Sequence, residues 1–137
     1  IYEDAEIFAY NLFLQGHIDE RDFQTYHALY QSLTEFLPAP NLVIYLRASV
    51  STLVSRIALR DRDFERTISP DYLEQLNILY EKWIQGFTHC PVLTVPADDL
   101  DFVKNIPHLE LIVRKVQEKL TGKDEVIFQP GEFQIDS

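Results

Sequence analysis

Apolar positions along this chain fall into two kinds of pattern, and their alternation predicts the fold class. Residues 3–15 carry Ile7, Phe8 and Leu12 at helical spacing, and Gly16 suits the left-handed position that ends a helix. Asp19 is placed to cap a second helix, with Glu20 and Asp22 near its positive end. Phe23, Tyr26, Tyr30, Leu33 and Leu37 supply that helix with an apolar face, and Pro38 and Pro40 stop it. Residues 41–46 form a short continuous apolar run, the pattern of a buried strand. Ser49 or Ser51 caps a third helix with Leu53, Val54 and Ile57 inward. Ser69-Pro70-Asp71 opens a fourth, with Leu73, Leu76, Tyr80, Trp83 and Phe87 on its face. A second strand follows Pro91 over 92–95. A last helix starts near Ile106 and carries Leu109, Ile112, Val113, Val116 and Leu120. Beyond Gly122, with Pro130 and Gly131, no period is visible, so a loose tail is expected over 123–137.

Strands alternating with helices imply an α/β fold with a parallel sheet and flanking helices. Two strands make a poor sheet of that kind, so further strands are expected upstream. The chain starts Ile-Tyr-Glu-Asp and has no methionine, which also suggests that residues precede it.

Composition narrows the function classes. With 137 residues and 46% apolar content, the chain is long and apolar enough for a packed core. No run is apolar enough to span a membrane and no signal peptide is visible. A single cysteine, Cys90, fits a reducing cytoplasm. The four histidines, His17, His27, His89 and His108, show no metal-binding spacing, so no protein-bound metal is expected. The net charge of −10 argues against binding a nucleic acid polymer.

Against that charge stands one arginine cluster: Arg56, Arg60, Arg62 and Arg66. Arg56 and Arg60, four apart, share a helix face. Arg62 follows the helix end, where the chain can close over a ligand. Guanidinium groups grip phosphate oxygens as a fork and stay charged, so the pattern suits phosphoryl transfer. Glu65 adds an acceptor for a sugar hydroxyl. The same residues also read as a helix C-terminus pairing with Asp61, Asp63 and Glu65 at the surface.

Arg60-x-Arg62-x-x-Glu65, after a strand ending Tyr45-Leu-Arg-Ala-Ser49, resembles the lid of the deoxynucleoside kinases. The opening Ile1-Tyr-Glu-Asp4-Ala-Glu-Ile-Phe8-Ala and the stretch Pro96-Ala-Asp-Asp-Leu-Asp101-Phe102 resemble segments of the same family, in the same order. The resemblance covers about residues 1–120. It implies a P-loop kinase fold, with residues 1–122 as the C-terminal part of the kinase domain. It implies transfer of the ATP γ-phosphate to the 5′-hydroxyl of a deoxynucleoside, a purine one, with Mg²⁺ on the nucleotide. Asp4 would bond the nucleobase edge and Phe8 would pack on the base. Arg56, Arg60 and Arg62 would bind phosphates, and Glu65 would accept from the 3′-hydroxyl. Arg60 and Phe102 would flank the donor adenine. A homodimer joined by a helix bundle is implied as well. The many large apolar residues of the first two helices, spread over more than one face, agree with it.

Two departures from the family pattern qualify this. The chain has no Gly-x-x-x-x-Gly-Lys-Ser/Thr loop to cradle β- and γ-phosphates, and no upstream carboxylate to act as base. Alone, it is therefore expected to be inactive. A thymidylate-type monophosphate kinase would want extra arginine at its acceptor site, yet residues 1–15 hold no Lys or Arg. A catalytically dead dimerisation module is the remaining alternative.

Overall fold

The computed structural model describes residues 2–60, 68–122 and 126–133. These form two compact units, one built from Ile1–Ala39 and Ile57–Phe87, the other from Pro40–Arg56 and Thr88–Ser137.

The first unit is helical. A π-helical segment, Asp4–Ala9, runs directly into α1 (Tyr10–Leu14), where the sequence pattern predicts one ordinary helix. Gly16, with φ of 79°, ends it in the left-handed region that only glycine enters without strain. α2 (Glu20–Thr34) begins where expected, because the Asp19 carboxylate accepts from the Asp22 amide at 2.7 Å. α4 (Pro70–Gln85) likewise has Ser69 as its cap, accepting from Tyr72, with Pro70 in the first turn. The π-helical segment packs against both α2 and α4. That double contact explains why Ala5, Ile7, Ala9 and Asn11 are all buried. Rings then link the helices edge to face, Phe8 with Tyr80 and Tyr2 with Tyr30, while Phe87, just past α4, meets both Tyr2 and Trp83.

The apolar residues of α2 stay largely uncovered, as their spread over more than one face suggests. Only Tyr30 is buried, while Tyr26, Leu29, Leu33 and Leu37 are exposed. On α4 the buried positions are Leu73, Leu79 and Ile84; Leu76, Tyr80, Trp83 and Phe87 are half-buried.

The second unit holds the sheet. Strands β1 (Val43–Arg47) and β2 (Val92–Pro96) pair in parallel, Val43 opposite Val92 through Arg47 opposite Pro96. Leu93 and Val95 are fully buried, packed with Leu100, Leu111 and Ile112. Their register partners Ile44 and Leu46 are about half exposed, because α5 (Ile106–Leu120) covers β2. α5 presents His108, Leu111 and Ile112 inward, while Leu109, Val113 and Leu120 face outward. The predicted stripe was therefore rotated by part of a turn. Residues 126–133, within the segment expected to be a loose tail, differ from that expectation. Val126, Phe128 and Phe133 pack against the core cluster, and Pro130–Phe133 forms a short 3-10 helix. Its apolar residues are too few and too irregularly spaced to show a period.

Candidate active site

Helix α3 (Val50–Arg60) carries the described part of the arginine cluster, with Arg56 half-buried and Arg60 exposed as its last residue. Ser49 starts it: the Ser49 hydroxyl accepts from the Thr52 amide at 3.2 Å, which decides between the two serines considered above. Arg62 and Glu65 lie outside the described residues.

The 96–102 loop is bound to α3 by several directed bonds. The Ala97 amide donates to the Arg47 carbonyl at 2.8 Å, extending the strand pairing by one step. Asp98 accepts from the Ser49 amide at 2.9 Å and the Ser49 hydroxyl at 3.3 Å. A hydrogen bond from Thr52, then those from Ser49 and the charge of Arg56, hold the Asp98 carboxyl below the usual carboxylate range. Arg56 donates to the Ala97 carbonyl. Asp101 accepts from the amides of Lys104, at 3.0 Å, and Val103, at 3.1 Å, closing a turn around Phe102. Those bonds, the Lys104 amide foremost, and nearby Arg56 lower its pKa too. Phe102 itself is half-buried against the Leu93–Leu111 cluster.

Arg56 and Phe102 thus belong to the second unit, and Asp4, Phe8 and Arg60 to the first. Asp4 opens the π-helical segment and Phe8 lies one residue before its end; the Asp4 side chain is outside what is described. Phe8 is 37% exposed, so it is not the core residue that an apolar helix position suggests by default. It meets Tyr80 edge-on, with ring centroids 6.2 Å apart. A π-helical turn is rare and recurs at functional sites.

Some residues escape the sequence reading. Asn11 is 1% exposed, and its Oδ1 has no hydrogen-bond partner among the described residues. It lines a cavity of about 380 Å³ together with Gln15, Ser69, Asp71, Tyr72 and Gln75. A lone Asn within an apolar run was the available signal. Tyr30 donates to Glu6 at 2.9 Å; burial, then this bond, pushes its phenol well above the usual range. Asp98 hides in an acidic run, where nothing local separates it from Asp99.

The deoxynucleoside kinase sequence profile matches residues 1–121. The chain belongs to the deoxynucleoside kinase family. It is 35% identical over 118 residues to the deoxyadenosine/deoxycytidine kinase of Bacillus subtilis, covering 85% of this chain and 54% of that one. The deoxyguanosine kinase of the same organism is 37% identical over 122 residues, covering 86% and 59%. A solved structure of deoxyadenosine kinase from M. mycoides with bound dCTP superposes with a TM-score of 0.72 at 36% identity, covering 86% of this chain and 61% of that one. The chain therefore spans little more than half the length of the curated relatives it matches. At this identity the likeness extends to architecture: the deoxynucleoside kinase chain has an α/β, P-loop kinase-like fold, with β1 and β2 parallel.

Proposed function

We propose that this chain is the lid- and donor-loop-bearing part of a deoxynucleoside kinase, one that transfers the γ-phosphate of ATP to the 5′-hydroxyl of a purine deoxynucleoside. The observation that carries the reading is the clasp between α3 and the 96–102 loop. One turn of a single helix bears Arg60 for phosphate and Arg56 for the loop that presents Phe102.

The residues fit a nucleotide, with one refinement. Arg56 already donates to Ala97, and its charge is partly countered by Asp98 and Asp101. Its part is to hold the donor loop, while Arg60 and Arg62 carry most of the positive charge toward phosphate. Mg-bound ATP supplies the phosphoryl group, with the metal carried on the phosphates. Catalysis by this chain is then positioning and charge neutralisation. Asp4 hydrogen-bonds the base edge and Phe8 packs on its face. Glu65 accepts from the 3′-hydroxyl, and Phe102 and Arg60 flank the donor adenine. The 137 residues alone are inactive on this reading, since the phosphate cradle is not among them. We also infer a cytoplasmic homodimer joined through a helix bundle, supported by the exposed Leu29, Leu33, Phe36 and Leu37.

The test is steady-state kinetics on the full-length enzyme containing this chain. Arg62→Ala should lower kcat about 100-fold or more, with little change in nucleoside KM, because phosphate charge is stabilised mainly in the transition state. Glu65→Ala should instead raise the deoxynucleoside KM. Small, equal effects from both changes would return the cluster to a surface ion-pair network, and turnover of dTMP in place of deoxynucleosides would assign a monophosphate kinase.

A further inference from the structure

His108 joins two segments of the second unit that the chain itself keeps apart. It is the third residue of α5 and only 8% exposed. Its Nδ1 accepts from the Asp101 amide at 3.0 Å, and its Nε2 meets the Phe133 carbonyl oxygen at 3.1 Å. An amide N–H can only donate, so Nδ1 is unprotonated; a carbonyl can only accept, so Nε2 carries the hydrogen. The imidazole is therefore neutral, in one tautomer, with both ring nitrogens committed. A rigid planar ring with a bond at each end transmits a displacement from one partner to the other.

Each partner is itself a junction. The Asp101 amide goes to His108 while its carboxylate closes the turn that carries Phe102. Phe133 ends a segment held by three further devices. Lys115 pairs with Glu132 at 3.1 Å, Glu132 accepts from the Gln129 amide at 2.8 Å, and Val126, Phe128 and Phe133 pack on the Leu93–Leu111 cluster. No apolar residue at 108 would satisfy both the Asp101 amide and the Phe133 carbonyl, and buried groups of that kind are rarely left unpaired.

We propose that His108 is a positioning residue for the phosphate donor, through which the C-terminal segment 126–133 sets the placement of Asp101 and Phe102. This rests on the reading of Phe102 as a neighbour of the donor adenine. The C-terminal segment is then a strap that shapes the ATP site without touching the nucleotide. It acts on donor affinity and leaves the acceptor deoxynucleoside alone.

Two variants and two readouts test it. One variant ends the chain at Gln129 and so removes the Phe133 carbonyl. The other is His108→Asn, whose side-chain oxygen can stand near Nδ1 and keep the Asp101 bond while losing the one to Phe133. Amide hydrogen exchange on the full-length enzyme reads the Asp101–Lys104 turn directly and needs no substrate. Kinetics of the full-length enzyme read the ATP and deoxynucleoside KM values separately. Either change should speed exchange at the Asp101 amide about tenfold and raise the ATP KM several-fold, with deoxynucleoside KM nearly unchanged; the unfolding midpoint should stay near the parent's in His108→Asn and fall in the truncation, which also loses the Phe133 packing and the Lys115–Glu132 pair. Combined, the two should speed Asp101 exchange no more than the truncation alone, since the truncation already removes the Phe133 carbonyl that His108→Asn loses. Unchanged Asp101 exchange in His108→Asn would overturn the proposal. So would a parallel rise in both KM values with a lowered midpoint in His108→Asn, which marks general loosening. Absence of turnover in the unaltered enzyme would sink the kinase reading instead, and the exchange experiment would still decide the coupling.

Discussion

The two units are held by different kinds of force. In the first, helices meet through rings: Phe13 stacks on Phe23 with centroids 4.9 Å apart, and Phe8 meets Tyr80 at 6.2 Å. Rings tolerate many angles, so such packing gives cohesion with modest directional demand. It also leaves flaws, since the Trp83 indole N–H is buried with no acceptor among the described residues. In the second unit a small aliphatic cluster, Leu93, Val95, Leu100, Leu111 and Ile112, sits under a loop fixed by directed bonds from Asp98, Arg56, Asp101 and His108. The lesson concerns division of labour. The loop that carries Phe102 is built from bonds that fail outside narrow geometry, whereas the unit that carries Asp4 and Phe8 is built from adaptable aromatic contacts.

The largest effect should come from emptying the aliphatic cluster. Leu93 is fully buried, so Leu93→Ala should cost about 2–5 kcal/mol by lost transfer energy and cavity formation. Tyr30→Phe in the first unit removes only the bond to Glu6 and should cost about 1 kcal/mol. Chemical denaturation of both variants checks this, and equal losses would erase the contrast between the units.

Assembly provides the next test. Leu29 and Leu33 on α2 are 59% and 49% exposed. Replacing both with serine should change the stability of a lone chain by no more than about 0.5 kcal/mol per site. It should nevertheless convert the proposed dimer to a 16.0 kDa monomer in sedimentation equilibrium. A parent chain already monomeric at micromolar concentration would show that this face has no partner copy.

The smallest effect is one of pH. The Asp98 carboxyl titrates below its ordinary value in the folded state, so it adds stability at any pH above the ordinary carboxylate range. That contribution fades as the pH drops through its lowered folded value and the carboxyl takes up a proton. Asp98→Asn should therefore be less stable than the parent near neutral pH, with the gap narrowing below about pH 4. Thermal unfolding across pH would show this, and a constant gap would remove Asp98 from the loop's electrostatics.

Capping and turn chemistry were readable without any structure, because their causes lie within four residues. Asp19, Ser69 and Gly16 each act on their own neighbours. The order of helices and strands followed from apolar spacing, and the family from the ordered segments ending at Phe102. Which face of a helix turns inward did not follow. On α5, His108 and Leu111 went in and Leu109 stayed out, because the inward direction depends on where β2 and the 126–133 segment lie. On α2 the excess of apolar residues over what one covered face needs was legible, but that only Tyr30 turns fully inward was not. The partners of Arg56 and His108 were beyond reach for the same reason. A guanidinium or an imidazole carries its chemistry in its identity, yet the Ala97 and Phe133 carbonyls that engage them are backbone atoms, which every residue possesses. Only the path of the chain through space chooses which carbonyl arrives, and that choice brings the Ala97 carbonyl to Arg56 and the Phe133 carbonyl to His108.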